Sequence, residues 1–173
     1  AMVEDSVASI ESTLMRAREL AVRGANDFLS AQDREIIATE IDSLREQLIA
    51  AANTQSTNGD YIYGGFAVAS KPYSDAGVNA VYNGDNGAKS VNIAPGLTIQ
   101  TRVLGSEVFG QGSTTTGLLS AFEALSVLSS GLRGNAAAAI TLLTHDGVTV
   151  TQDEAINIAM DALDNNLEKV RSV

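Results

Sequence analysis

The sequence contains no cysteine, no tryptophan and a single histidine, His145. The absence of cysteine excludes disulfides, thiol chemistry and zinc sites built on thiolates. One histidine cannot supply two ligands to a metal, and any Ser-His-Asp mechanism would have to use this residue. His145 precedes an Asp146-Gly147 turn signal, where an exposed loop histidine is the ordinary interpretation. Because nucleotide-binding and nucleophile-elbow motifs are also absent, we predict no catalytic residue, no metal and no cofactor.

Basic residues and long apolar runs are also scarce. Eleven Lys and Arg residues stand against 21 Asp and Glu residues, which gives a net charge of −10. Nucleic acids and anionic lipid surfaces bind clustered basic residues, so we expect neither as a partner. No apolar run approaches the roughly 20 residues that cross a bilayer. Hydrophobic residues still make up 45% of the chain, enough to predict a folded core.

The two ends of the chain share an apolar period of three and four residues. It runs through Val7, Ile10, Leu14, Ala17 and Ala21 near the start, and through Ile156, Met160, Leu163, Leu167 and Val170 near the end. Such a seam is buried against another helix, so we predict that the first and last helices pack together. Ala1 precedes Met2 and the second seam runs on to Val170 without a stop signal, so we expect both ends to continue in a longer protein.

Two further helices are predicted between these ends. Ser30 with Asp33 is an acidic variant of a capping box, and the helix that follows has an apolar seam and forms a hairpin with the first helix. Helical spacing returns over 118–132 after a link at 111–116. Thr151 with Glu154 is a second capping box, which begins the last helix. The segment 136–150 fits either a helix or a small hairpin. The packing seam is predicted to contain Ile10, Leu14, Ile41, Leu44, Leu48, Met160, Leu163 and Leu167.

The middle of the chain is rich in β-branched and aromatic residues separated by turn signals. We predict strands at 61–66, 78–82, 89–93, 97–104 and 107–109. The predicted fold is therefore α+β: a discontinuous bundle of long antiparallel helices (1–57 and 113–173) with a small β-rich inserted domain (58–112).

Three features of the insertion could carry chemistry. Asn83, Asp85 and Asn86 offer oxygen ligands for calcium, but the twelve-residue loop with its terminal Glu is missing, so tight turns are favoured. Gly64-Gly65 lacks the residues of a phosphate loop and indicates a bulge or a close backbone contact. Four tyrosines could stack on sugars or pack across strands, which leaves a carbohydrate-binding or hydrolytic module as an alternative. The tyrosines are Tyr61, Tyr63, Tyr73 and Tyr82.

Several segments resemble the bacterial flagellin superfamily. The stretch LMRARELAVRGAN (14–26), followed by SAQDR (30–34) and the second helical seam, is similar to the N-terminal helical region of that family. NGDYIYGG (58–65), YNGD (82–85) and LGSEVF (104–109) resemble its hook-associated protein 3 branch, the hook-filament junction proteins. The segment 160–173 resembles the returning C-terminal helix. Residues 134–151 match no pattern of the family, and the Phe-Gln pair usual in flagellins after the Asn-Gly turn is absent.

The resemblance implies a structural subunit that joins the hook to the filament, with flagellin as the alternative. It implies export through the flagellar type III apparatus without a cleaved signal, and the absence here of the outermost terminal helices. Its expected partners are neighbouring copies, the other hook-associated junction protein, flagellin and an export chaperone. If flagellin is the closer relative, Arg16, Leu20 and Glu40 correspond to positions contacted by immune receptors, although all three could equally be ordinary surface charges and seam neighbours.

Overall fold

The computed structural model describes residues 2–77, 79–85, 87, 90–100, 105–109, 119–134 and 151–173. Within these residues the chain forms five helices and four strands. They are α1 (Met2–Gly24), α2 (Ala31–Ala52), β1 (Tyr73–Asp75), β2 (Ala80–Tyr82), β3 (Ser90–Ala94), β4 (Leu97–Gln100), α3 (Gly105–Phe109), α4 (Ala121–Leu132) and α5 (Gln152–Arg171). The fold is α+β, as predicted. Among the described helices, none combines the length and apolarity needed to cross a bilayer.

The four long helices form a bundle in which the ends of the chain meet. Helix α1 packs against α2 and α5, and α4 packs against both α2 and α5. Arg18 pairs with Asp164, and Arg171 Nε donates to Glu11 Oε1 at 2.7 Å. Since residue numbers rise on α1 as they fall on α5 along these pairs, the two helices are antiparallel. The prediction that the first and last helices pack together is confirmed.

Helix α4 is the central element of the bundle. Ten of its twelve residues are buried, including Phe122, Leu125 and Leu128. A helix that is apolar on nearly all sides is stable only when neighbours surround it. The N-terminus of α4 begins inside the protein, where Ser120 and Glu123 form a capping box and are both about 1% exposed.

The predicted starts of α2 and α5 are confirmed. Ser30 caps α2 with Asp33, and Thr151 caps α5 with Glu154, each through reciprocal side chain to backbone hydrogen bonds. These bonds satisfy amide groups that the first helical turn leaves without partners. Local sequence therefore fixes both helix starts.

The inserted region contains two antiparallel hairpins, β1–β2 and β3–β4. Strands β2 and β4 lie within the predicted ranges 78–82 and 97–104, and β3 overlaps the predicted range 89–93 but ends one residue later, at Ala94. The strand predicted at 61–66 is wrong: this segment consists of turns, with a single bridge between Tyr61 and Gln55. The segment 107–109 is also not a strand, because it belongs to the one-turn helix α3. Strand β1 was not predicted.

Aromatic side chains of the insertion join the core of the bundle. The Phe109 and Phe122 rings stack with centroids 5.2 Å apart, and Tyr73 packs against both. Tyr63 meets Phe109 edge to face at 5.6 Å. One hydrophobic core thus contains side chains from all five described helices and from the insertion. The predicted link at 111–116, the ambiguous segment 136–150 and His145 lie outside the described residues, and the domain boundaries stay a prediction.

Candidate functional site

The predicted packing seam lies mostly in the core. Seven of its residues are buried, whereas Met160 is partly buried and packs against the edge of the core. The buried members are Ile10, Leu14, Ile41, Leu44, Leu48, Leu163 and Leu167. These side chains hold the helices together and are not available to an external partner.

Arg16 and Glu40 lie together on the surface of the α1–α2 hairpin. Arg16 Nε donates to Glu40 Oε1 at 2.9 Å, and Arg16 Nη1 lies 3.3 Å from Glu19 Oε1. The suggestion that Leu20 is a surface contact is wrong, because its side chain is 0% exposed and cannot contact a partner together with Arg16 and Glu40. Because α1 packs against both α2 and α5, its buried face is wider than a single seam and includes Leu20.

A long groove, which we call the outer groove, lies between α1 and α5. It has a volume of about 1220 Å³, and Met15 and Val22 contribute half-exposed apolar side chains to it. Its rim carries the pairs Arg18–Asp164 and Arg171–Glu11. Ala8, Met15 and Val22 are seven residues apart, which is the signal in the sequence for this second apolar stripe. Such a surface is suited to apolar packing, and its paired charges are already neutralised.

Phe28 is a further exposed apolar residue, and the helical spacing does not predict it. Phe28, in the turn between α1 and α2, is 98% exposed. Two hydrogen bonds stabilise the turn: the Phe28 amide donates to Asn26 Oδ1 at 3.0 Å, and the Leu29 amide donates to the Asn26 carbonyl at 3.2 Å. Ile36 on the first turns of α2 is 63% exposed.

Three of the four tyrosines of the insertion pack against other parts of the protein. Tyr63 and Tyr73 are 0% and 2% exposed, and Tyr82 is half-buried against Tyr73 with ring centroids 5.2 Å apart. Burial raises the pKa of all three hydroxyls. A buried ring cannot stack on a sugar, so Tyr63 and Tyr73 do not support the carbohydrate-binding alternative.

Asp85 organises the loop that was considered for calcium. Its Oδ1 accepts hydrogen bonds from the amides of Phe66 and Gly87, each at 2.8 Å. Gly65 has φ +67°, and a Cβ there would clash with Asp85, so the predicted close backbone contact at Gly64-Gly65 is confirmed. Within the described part of the chain, no group of three or more acidic or histidine residues could hold a metal ion.

Two carboxylates have shifted pKa values with structural causes. A hydrogen bond from Arg45 lowers the pKa of Asp75, and the backbone amide of Thr151 lowers that of Glu154. Both groups are therefore held in the charged form by partners that join or cap elements of the fold. Neither has the raised pKa that a general acid would need near neutral pH.

Known proteins resemble this chain in sequence and in fold. Residues 2–67 match the family model described as the bacterial flagellin N-terminal helical region. A stretch of 74 residues is 39% identical to the flagellar hook-associated protein 3 of Escherichia coli, and it covers 42% of this chain and 23% of that protein. The match thus spans less than a quarter of the length of this relative.

Two solved structures share the fold over nearly the whole chain. The flagellar hook-associated protein 3 of Legionella pneumophila superposes with a TM-score of 0.77 at 16% identity, covering 99% of this chain and 81% of that one. The flagellar junction protein FlgL of the same organism gives a TM-score of 0.65 at 15% identity, covering 98% and 90%. At these identities the likeness concerns the fold alone.

Proposed function

We propose that this chain, whose residues 2–67 match the family model of the bacterial flagellin N-terminal helical region, is part of a structural subunit of the bacterial flagellum that joins the hook to the filament. The observation that carries this proposal is the 39% identity to a protein named flagellar hook-associated protein 3. The same fold occurs in a protein named as a flagellar junction protein, which supports the proposal further.

The architecture suits a structural role. The antiparallel helices share one continuous core with the insertion, which gives a compact unit for assembly. Subunits that meet head to tail close into a ring or continue as a helix according to geometry alone, without chemistry at the contact. We therefore propose that the protein is not an enzyme and that its partners are neighbouring copies, the other hook-associated junction protein and flagellin.

The proposed location is the flagellum outside the cell. The protein would reach it through the flagellar type III export apparatus, without a cleaved signal and with the help of an export chaperone. These steps rest on the similarity to proteins named hook-associated protein 3.

Filament flagellin is the second candidate. It is favoured by the match of residues 2–67 to the flagellin N-terminal region. It is less well supported, because the curated relative and the two solved structures described above carry hook-associated or junction names.

Deletion of the gene in its source bacterium distinguishes these functions. For a junction protein, electron microscopy would show bare hooks, and flagellin would be shed into the medium as monomer. Restoring the gene should restore filaments. Loss of filament protein from both the cell surface and the medium would instead identify flagellin, and unaltered flagella would reject both.

A further inference from the structure

The inserted region is fastened to the bundle at two points on α2. At the first, the buried Arg45 donates from Nη2 to the Gly77 carbonyl at 2.7 Å and to Asp75 Oδ1 at 3.2 Å. Its Nε donates to the carbonyl of Phe122, in the first turn of α4, at 3.2 Å. One guanidinium therefore joins α2, α4 and the end of the β1–β2 hairpin. Hydrogen bonds from a charged, largely buried donor are among the stronger ones in proteins.

The second point is Asn53, at the C-terminus of α2. Its side-chain amide pairs with the backbone of Tyr73: Nδ2 donates to the Tyr73 carbonyl at 3.0 Å, and the Tyr73 amide donates to Oδ1 at 2.9 Å. This pairing satisfies both backbone groups of the first residue of β1. The Tyr73 ring in turn packs against both Phe109 and Phe122.

The order of the two points is opposite on the two elements. Asn53, at the end of α2, contacts Tyr73 at the start of β1, and Arg45, about 12 Å earlier along the helix, contacts Asp75 at the end of β1. Strand β1 therefore lies along the last turns of α2 and runs in the opposite direction. Two anchors separated in this way fix an orientation, whereas a single anchor would leave a pivot.

A third contact joins the hairpin to the N-terminus of α4. The hydroxyl of Ser120, the capping residue of α4, donates to Asn79 Oδ1 at 2.7 Å, in the turn between β1 and β2. The same turn is stabilised by the Ala76 amide, which donates to the Asn79 carbonyl at 2.9 Å.

We propose that Arg45 is a positioning residue that, together with Asn53, locks the β1–β2 hairpin to the bundle, so that the hairpin and the bundle open only together. The β1–β2 hairpin is then not a module on a hinge but has a fixed direction set by α2. This inference concerns the mechanics of the chain itself and holds whatever the chain assembles with.

Amide hydrogen exchange of the folded 173-residue chain tests the lock. In the parent protein, the amides of Tyr73 in the hairpin and Leu163 in the core of α5 should have similar protection, because both exchange through the same opening. In Arg45→Met, which keeps most of the apolar stem, the Tyr73 amide should exchange at least about tenfold faster than the Leu163 amide, since charged hydrogen bonds to the hairpin are lost.

Arg133→Met is the matched control. Arg133 pairs with Glu35 and Asp42 of α2 at 2.9 and 2.7 Å and makes no described contact with the hairpin. In this variant the protection of both amides should fall together or not at all. If Arg45→Met does not fold, Asp75→Ala removes one acceptor at a half-exposed position and should separate the two amides in the same direction by a smaller factor. Equal protection of the two amides in the folded variants of Arg45 or Asp75 would overturn the lock.

Discussion

At the scale of single residues, neighbouring apolar positions of one helix have opposite roles. Leu163 of α5 is fully buried, whereas Ile158, five residues before it, is 39% exposed. The heptad spacing predicted Leu163 for the seam and left Ile158 out. Spacing could not predict the burial of Leu20, because that depends on α5 and α2 both covering α1, which is a property of the assembled bundle.

The pair gives a matched test of the seam. Leu163→Asp should lower the free energy of unfolding by more than about 3 kcal/mol, since the carboxylate would be buried without a partner. Ile158→Asp should cost no more than about 1 kcal/mol, because its carboxylate can reach water. Urea unfolding followed by circular dichroism measures both values. Equal losses in the two variants would mean that the helical seam does not hold the bundle together.

At the scale of elements, the starts of α2 and α5 were predicted correctly, whereas two of the five predicted strands are wrong and β1 was not predicted. The Ser30-Asp33 and Thr151-Glu154 boxes depend on residues three apart, so they can be recognised locally. The strand predicted at 61–66 fails because Gly65 takes φ +67° and the Tyr61 amide donates to the Val68 carbonyl, which folds the segment back on itself. A segment as short as 107–109 has too few residues to distinguish a helical from an extended period.

The caps themselves give a graded prediction. Ser30 is exposed, so Ser30→Ala should destabilise the protein by about 1 kcal/mol, the usual value for a lost N-cap. Ser120→Ala should cost more, about 2 kcal/mol, since Ser120 is buried and its hydroxyl also donates to Asn79. Chemical denaturation measures both.

Ser43→Ala, at an exposed position within α2, is the control for these substitutions. It should be neutral or slightly stabilising, because alanine is the stronger helix former. A loss at Ser43 equal to that at Ser120 would show that capping does not explain the effect.

At the scale of the whole molecule, the sequence predicted the antiparallel bundle and an inserted β-rich region, but not how the two are joined. The core runs through Tyr73 and Phe109 to Phe122 of α4, and Arg45 ties the hairpin to both α2 and α4. These contacts connect residues up to 77 positions apart in the sequence, and a pattern within a short segment cannot predict them. The same applies to the outer groove, which exists only once α1 and α5 are side by side.

If the protein joins the hook to the filament, it must lie at the boundary between them in intact flagella. Antibodies raised against the chain, detected by immunogold electron microscopy on isolated flagella, would report that position. We predict gold particles confined to the boundary between hook and filament, and absent from that boundary in flagella of the deletion strain. Labelling along the whole filament, or no labelling of flagella that carry the protein, would contradict the junction role.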